Sequence, residues 1–160
     1  MILVTVGTHD QGFERLVQPM DELAAELEEE IVIQYGVSRY VPRHASGFRF
    51  TDSEHMAALT AQARVVVTHA AAGAIILALQ NEKRLVLVPR FKRFGEHFDD
   101  HQVQLARALH DQNKAVAVLE PTSASLAAAL QQVDRIRFTP ADPAKIITAQ
   151  ENETAQLDYT

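Results

Sequence analysis

Three short stretches concentrate residues that could handle a charged small molecule. Gly7-Thr8-His9-Asp10 joins a glycine to a hydroxyl, an imidazole and a carboxylate. His69-Ala70-Ala71-Ala72-Gly73 sets an imidazole ahead of four small residues. The segment from Arg90 to Gln102 carries Arg90, Lys92, Arg93, Glu96, His97, Asp99, Asp100, His101 and Gln102. Small side chains where a strand gives way to a helix let a phosphate approach free N–H groups and the positive helix end. Tight helix–sheet packing asks for the same small residues, so 69–73 supports either reading. Gly7-Thr8 suits a phosphate and equally suits a plain turn. No GxGxxG or Walker pattern is present.

The basic cluster Arg90, Lys92 and Arg93 suits a diphosphate, an acidic sugar or an acidic partner; its alternative is a solvated loop. His97 and His101 are four apart and could share a helix face near Asp100, yet HExxH is absent and no metal is assigned. Gln102 is spaced with Phe98, Leu105 and Leu109 on one helix face. An amide on an apolar face must find a hydrogen-bonding partner, either a ligand hydroxyl or a neighbouring loop.

The elements that would position these residues follow from apolar runs. Strands are expected over 2–6, 31–34, 65–68, 85–88 and 115–119, with a shorter one at 48–50. Continuous rather than alternating apolar residues indicate strands buried on both faces, as in a parallel sheet. Between them, Phe13, Leu16, Val17, Met20, Leu23, Ala24 and Leu27 step by three and four, as one helix face does. The acidic run 28–30 would then oppose the dipole at that helix end. Asp52 or Ser53 can cap a second helix. A third is expected over 72–79, a fourth on the stripe Phe98, Leu105 and Leu109, and a fifth over 123–133. Strand and helix alternate, which makes the chain α/β with a doubly wound sheet. In such sheets ligands bind beyond the carboxyl ends of the strands, where the stretches above fall.

The chain has 160 residues, enough for one domain, expected over 1–138 with a partly disordered extension over 139–160. Its 15 Lys and Arg against 21 Asp and Glu give a net charge of −6, which argues against nucleic acid as a partner. It has no cysteine, so disulfides, thiolate metal sites and cysteine nucleophiles are excluded. No apolar run approaches the ~20 residues that span a bilayer. The N-terminal residues read as a first strand rather than a signal peptide, and the expected location is cytoplasmic.

Three segments, VTVGTHDQGFERLV at 4–17, VVVTHAAAGAI at 65–75 and VPRFKRFGEHFDDHQVQLA at 88–106, resemble PssE-type subunits of bacterial exopolysaccharide glycosyltransferases. These are similar to the C-terminal, donor-binding half of the peptidoglycan N-acetylglucosaminyltransferase of glycosyltransferase family 28. They also resemble the small cytosolic subunit of the eukaryotic dolichol-linked N-acetylglucosamine transferase. The resemblance implies half of a GT-B fold: one Rossmann-like domain with a mostly parallel sheet that binds a UDP-sugar as substrate, with no further cofactor. It implies a separate, membrane-associated, PssD-like subunit that holds the acceptor and brings the chain to the inner membrane face. By position, Gly7, Thr8 and His9 match the first donor loop. His69, Ala72 and Gly73 match the second, beside the diphosphate and sugar. Glu96, His97, His101 and Gln102 match the segment facing the donor sugar, and Arg90 would help neutralise the leaving diphosphate. The sequence departs from the family at Ala70-Ala71-Ala72, where relatives are richer in glycine and serine. It departs again at Leu77, where some relatives place an acidic residue for the ribose.

The reaction implied is an inverting sugar transfer from a UDP-sugar to a lipid-linked saccharide. The general base is expected on the partner, with His9 as the candidate on this chain. Without a partner, the uncovered strand-end surface could lead the chain to self-associate. The alternatives are a non-catalytic nucleotide-binding regulatory module and a stand-alone hydrolase or epimerase.

Overall fold

A computed structural model describes residues 1–136 of the chain. Strand β1 (Ile2–Thr5) lies inside a parallel sheet with β2 (Ile31–Gln34), β3 (Ser46–Phe48), β4 (Val65–Thr68), β5 (Arg84–Leu87) and β6 (Val116–Ala117). The order is β3-β2-β1-β4-β5-β6, and each neighbouring pair is parallel. The chain therefore reverses its winding between β1 and β4, which opens a crevice at the carboxyl ends of those two strands.

Both faces of the sheet are covered, and this is why the central strands are apolar without alternation. On one face Ile2, Val4, Ile33, Val67 and Val86 pack against α1 (Glu14–Ala24) and α5 (Ser123–Arg135). On the other, Leu3, Val66, Leu85 and Leu87 pack against α2 (Ser53–Gln62), α3 (Ala72–Gln80) and α4 (His101–Asp111). Burying a Leu, Ile or Val side chain gains about 1.5–3 kcal/mol, so these two clusters dominate the stability. Asp52 caps α2 by accepting from His55 N–H at 2.7 Å, and Thr122 caps α5 reciprocally with Ser125.

Several expected boundaries shift. β3 is Ser46–Phe48 rather than 48–50, because its register pairs Val32 with Ser46 and Gln34 with Phe48. Phe50 falls outside the strand and is exposed. α1 ends at Ala24, so the acidic run 28–30 does not face its dipole; Glu29 instead pairs with the N-terminal ammonium and with Arg64. α4 begins at His101, not near Phe98. Asp99 Oδ1 accepts from His101 N–H at 3.0 Å and fixes that start. Phe98 is left 74% exposed, stacked on the His97 ring at 4.3 Å. The expected extension over 139–160 lies outside the described residues.

Candidate functional site

Two loops meet where the winding reverses. The first follows β1 and turns at Gly7, with φ +76°. Gln34, at the end of β2, grips that turn: its Oε1 accepts from Thr5 Oγ1 (2.7 Å), Val6 N–H (3.1 Å) and Gly7 N–H (3.1 Å). Its amide donates to the Gly7 and Arg49 carbonyls at 3.0 and 2.8 Å. The second loop follows β4, with Thr68 donating back to the Thr5 carbonyl at 3.1 Å and His69 next in the chain.

His69 is 6% exposed, and its Nε2 faces Gly7 so closely that a β-carbon there would lie 2.6 Å away. Its Nδ1 lies 3.3 Å from Gln102 Nε2, and Gln102 Oε1 accepts from Arg90 N–H at 3.0 Å. Burial, aided by the charge of Arg90 and by His9 and His97, lowers the His69 pKa to about 3, so the ring is neutral at physiological pH. After His69 the chain enters α3, whose N-cap, Ala71, makes no side-chain cap. The first N–H groups of that helix and its positive end therefore open toward the loop. Gly73 is exposed, and a β-carbon on it would meet nothing within 4 Å. Ala70, Ala71 and Ala72 all keep negative φ, so the alanines here cost no left-handed strain.

Arg90 does not belong to an exposed basic cluster. It is wholly buried, with Nη1 donating to the Gln11, Gly12 and Glu96 carbonyls and Nη2 to the Val6 carbonyl. Burial lowers its pKa to about 10, with Glu96, Glu14 and Asp10 opposing, so it stays charged at pH 7. Its charge reaches the crevice from behind the loop rather than by contact. Lys92 and Arg93 are exposed, and Arg93 lies over the Phe91 and Phe94 rings.

Glu96 is also turned inward. Arg15 holds its carboxylate through Nε and Nη2 at 3.0 Å each, and Phe91 N–H donates to it at 3.0 Å. The same guanidinium donates to the Leu119 and Pro89 carbonyls at 2.8 Å. This clip folds 90–96 over the ends of β5 and α1. Thr8 stands exposed at the turn, and it is Thr5 whose hydroxyl joins the Gln34 network.

His9 and His97 face one another with ring centroids 5.2 Å apart. Burial and the positive charge of Arg90 lower the His9 pKa. Gln11 N–H reaches His9 Nδ1 at 3.1 Å. Asp99 sits between His97 and His101, at 3.1 Å from His97 Nδ1 and 3.6 Å from His101 Nε2. His97 precedes α4, so the two imidazoles do not share a helix face. Among the described residues no group of three or more His, Asp or Glu is arranged to hold a metal ion.

A cavity of about 710 Å³ opens between the loops after β1, β2 and β5, lined by Asp10, Glu14, Arg15, Arg39, Phe94 and Glu96 among others. His69 and Gly73 do not line it. The anion-directed groups and this roomier hollow are thus separate features of the same sheet end.

Gln34 and Arg15 escaped sequence reasoning. Gln34 was visible as the polar end of an apolar strand, whereas Arg15 is one of several polar residues of α1; their partners lie 15–29 and 74–104 residues away.

A six-stranded parallel sheet in this order, wrapped by helices on both faces, is a Rossmann-like domain and one half of a GT-B fold. The profile of the glycosyltransferase family 28 C-terminal domain matches residues 1–157, and the chain belongs to that family. No curated protein sequence matches it. Among solved structures it is similar to the glycotransferase of kitacinnamycin, at 20% identity and TM-score 0.66, over 96% of this chain and 39% of that one. It is similar to MurG of Acinetobacter baumannii at 20% identity and TM-score 0.61, over 84% of this chain and 41% of that one. It is also similar to the glycosyltransferase SsfS6 of Streptomyces sp. SF2575 complexed with thymidine diphosphate, at 22% identity and TM-score 0.58, over 94% and 35%. The chain therefore spans about two fifths of the length of these proteins. No helix among the described residues is long and apolar enough to cross a membrane.

Proposed function

We propose that the chain is the donor-binding and catalytic half of a two-component inverting glycosyltransferase of the PssE type. It moves a hexose from a UDP-sugar to a lipid-linked saccharide in exopolysaccharide synthesis. The observation that carries this reading is the buried His69 facing Gly7 beside the open N-terminus of α3, in a family 28 C-terminal domain. A diphosphate fits that place, since an N–H donor, free helix N–H groups and a positive helix end all stabilise anionic oxygen. A similarly folded glycosyltransferase has been solved with thymidine diphosphate, which supports a nucleoside diphosphate as the ligand class.

In an inverting transfer the acceptor hydroxyl attacks the anomeric carbon from the face opposite the diphosphate. The bond from that carbon to the phosphate oxygen breaks, and UDP leaves with the electron pair. Negative charge grows on the leaving diphosphate, and preorganised donors at 69–73 lower the barrier by meeting it there. Arg90 adds a positive potential without a direct contact, and its burial lessens the screening by water. The hydroxyl proton goes to a general base, placed on the acceptor subunit, with His9 as the candidate on this chain. Burial and the charge of Arg90 lower the His9 pKa, which favours the neutral ring that a base requires. His97, His101 and Gln102 line the approach to the donor sugar, and Thr8 flanks it.

The acceptor is held by a membrane-associated, PssD-like subunit, which also keeps the chain at the inner face of the membrane. Titration calorimetry with UDP, thymidine diphosphate and uridine tests the donor reading. UDP should bind at least tenfold more tightly than uridine, because the anchoring groups address the diphosphate. Absence of binding by any nucleoside diphosphate removes the reading.

A further inference from the structure

The hollow between the loops after β1, β2 and β5 stays open although its walls are tied to one another. Phe13 N–H donates to the buried Ser38 hydroxyl at 2.9 Å, and Arg39 N–H donates to Glu14 Oε1, so the loop after β2 is fastened to the start of α1. Arg15 and Glu96, 3.0 Å apart, fasten the loop after β5 to the same helix. The volume, about 710 Å³, falls within the ~300–1,000 Å³ of small-molecule sites. A hollow already held in shape asks little ordering of the protein when a ligand enters.

The unspent groups of the lining say what fits. The Arg39 guanidinium donates to no acceptor among the described residues, and Glu14 Oε2 accepts from no donor. Val37 and Phe94 leave apolar surface at the rim, 40% and 50% exposed. Hydroxyl groups both donate and accept, and a sugar ring sets apolar C–H faces between its hydroxyls. Charge narrows the class. Asp10, Glu14 and Glu96 face Arg15 and Arg39, three carboxylates against two guanidiniums, which disfavours a diphosphate or an acidic sugar. Asp10 links the hollow to His9, its Oδ1 lying 3.3 Å from His9 Nδ1.

We propose that this hollow is a subsite for an uncharged saccharide, the acceptor sugar, whose reactive hydroxyl it brings beside His9. The role as acceptor rests on the transferase reading above; the binding of a neutral sugar does not. The partner subunit then holds the lipid side of the acceptor, and this chain takes part in choosing the acceptor as well as the donor.

The test titrates amide spectra of the chain with methyl β-glucoside, methyl β-galactoside and cellobiose up to about 50 mM, which reports Kd values into the millimolar range. Methyl β-glucuronide is the acidic control. At least one neutral glycoside should shift the amides of 10–14, 37–39 and 94–96 while 69–73 stay still, and the glucuronide should bind more weakly. No shift with any neutral glycoside, shifts confined to 69–73 and 101–102, or tighter binding of the glucuronide overturns the proposal. Arg39→Ala removes the free donor and Val37→Trp fills the mouth. Both should weaken glycoside binding by about fivefold or more, as expected for at least one lost hydrogen bond, with UDP affinity unchanged. In the reconstituted pair both should raise KM for the lipid-linked acceptor and leave KM for the UDP-sugar alone. An unaltered acceptor KM overturns the proposal, and failure of the variants to assemble with the partner overturns it in favour of a protein contact. If the wild type binds a glycoside but no nucleoside diphosphate, the donor reading fails while the sugar site stands.

Discussion

His69 Nε2 stands 2.6 Å from where a β-carbon on Gly7 would be, so the two loops of the crevice touch only because residue 7 is glycine. Two demands coincide at that position. The backbone is left-handed at φ +76°, and the space a side chain would need belongs to an imidazole held by Gln102. Gly7→Ala should lose stability by about 1–2 kcal/mol from the backbone alone, with more from displacing the ring. Chemical denaturation measures the loss, and calorimetry should show weakened UDP binding in the fraction that folds. A variant as stable as wild type would mean the loop relaxes freely.

Gly73 poses the opposite case. Its φ is ordinary and a β-carbon meets nothing within 4 Å. Gly73→Ala should therefore leave stability unchanged or raise it by up to about 1 kcal/mol through helix propensity. Gly73→Asp should also fold, since an acidic residue in the first turn suits the helix dipole by about 0.3–1 kcal/mol. The same carboxylate would occupy the place given to the diphosphate and abolish UDP binding. Undiminished UDP affinity in Gly73→Asp would place the nucleotide elsewhere.

The elements were legible in the sequence to the extent that burial alone specifies them. Strands β1, β2 and β4 are continuous apolar runs because helices cover both faces, and that signal is local. β3 was misplaced because Ser46, Gly47 and Phe48 carry little pattern of their own; pairing with β2 sets the strand. Phe98 fits the spacing of Gln102, Leu105 and Leu109, yet Asp99 and Asp100 end the loop there and leave the ring outside the helix. Arg90 reads as one member of a basic run, and only the fold shows it buried among four carbonyls. The loops were found by the rule about strand ends, while their internal partners were not. Nothing local in Arg15 announces a carboxylate 81 residues away.

The buried His69 should leave its mark on acid stability. Its folded pKa, about 3, lies below the 6.5 of an unfolded histidine. Between those values the unfolded chain takes up a proton that the folded chain refuses. The contribution is therefore fully present above pH 6.5 and is lost as pH falls toward 3. The slope of stability against pH approaches about 1.4 kcal/mol per unit for one such group. Denaturation of His69→Gln from pH 7 to pH 4 should lose that slope relative to wild type, whatever its stability at pH 7. Parallel curves would show that the ring titrates normally in the folded chain.

Arg15 and Glu96 should behave as a unit. Arg15→Met strands a nearly buried carboxylate and releases the Pro89 and Leu119 carbonyls, at a cost of about 3 kcal/mol. Glu96→Gln keeps the acceptor oxygen for Phe91 N–H and should cost less. The double variant should be less destabilised than the sum of the singles, because the stranded charge is gone. Additive losses in the denaturation cycle would show that the two side chains do not hold one another in solution.

The described chain offers donor groups at one sheet end, with no second domain facing them among residues 1–136. Its structural relatives are more than twice as long. Sugar transfer needs donor and acceptor held face to face, an arrangement equivalent to about 10⁵–10⁸ M of effective concentration in well-oriented systems. The chain by itself should therefore bind UDP and show little or no transfer to a lipid-linked acceptor. Addition of a membrane-associated, PssD-like subunit should restore transfer, and that subunit alone should be inactive for want of donor. The assay follows product formation with each chain separately and with both together, alongside UDP binding measured on the same samples. Gly73→Asp in the reconstituted pair should abolish transfer without preventing assembly. Full turnover from the chain alone would sink the two-component reading and point to a self-sufficient transferase in which a second copy supplies the acceptor wall.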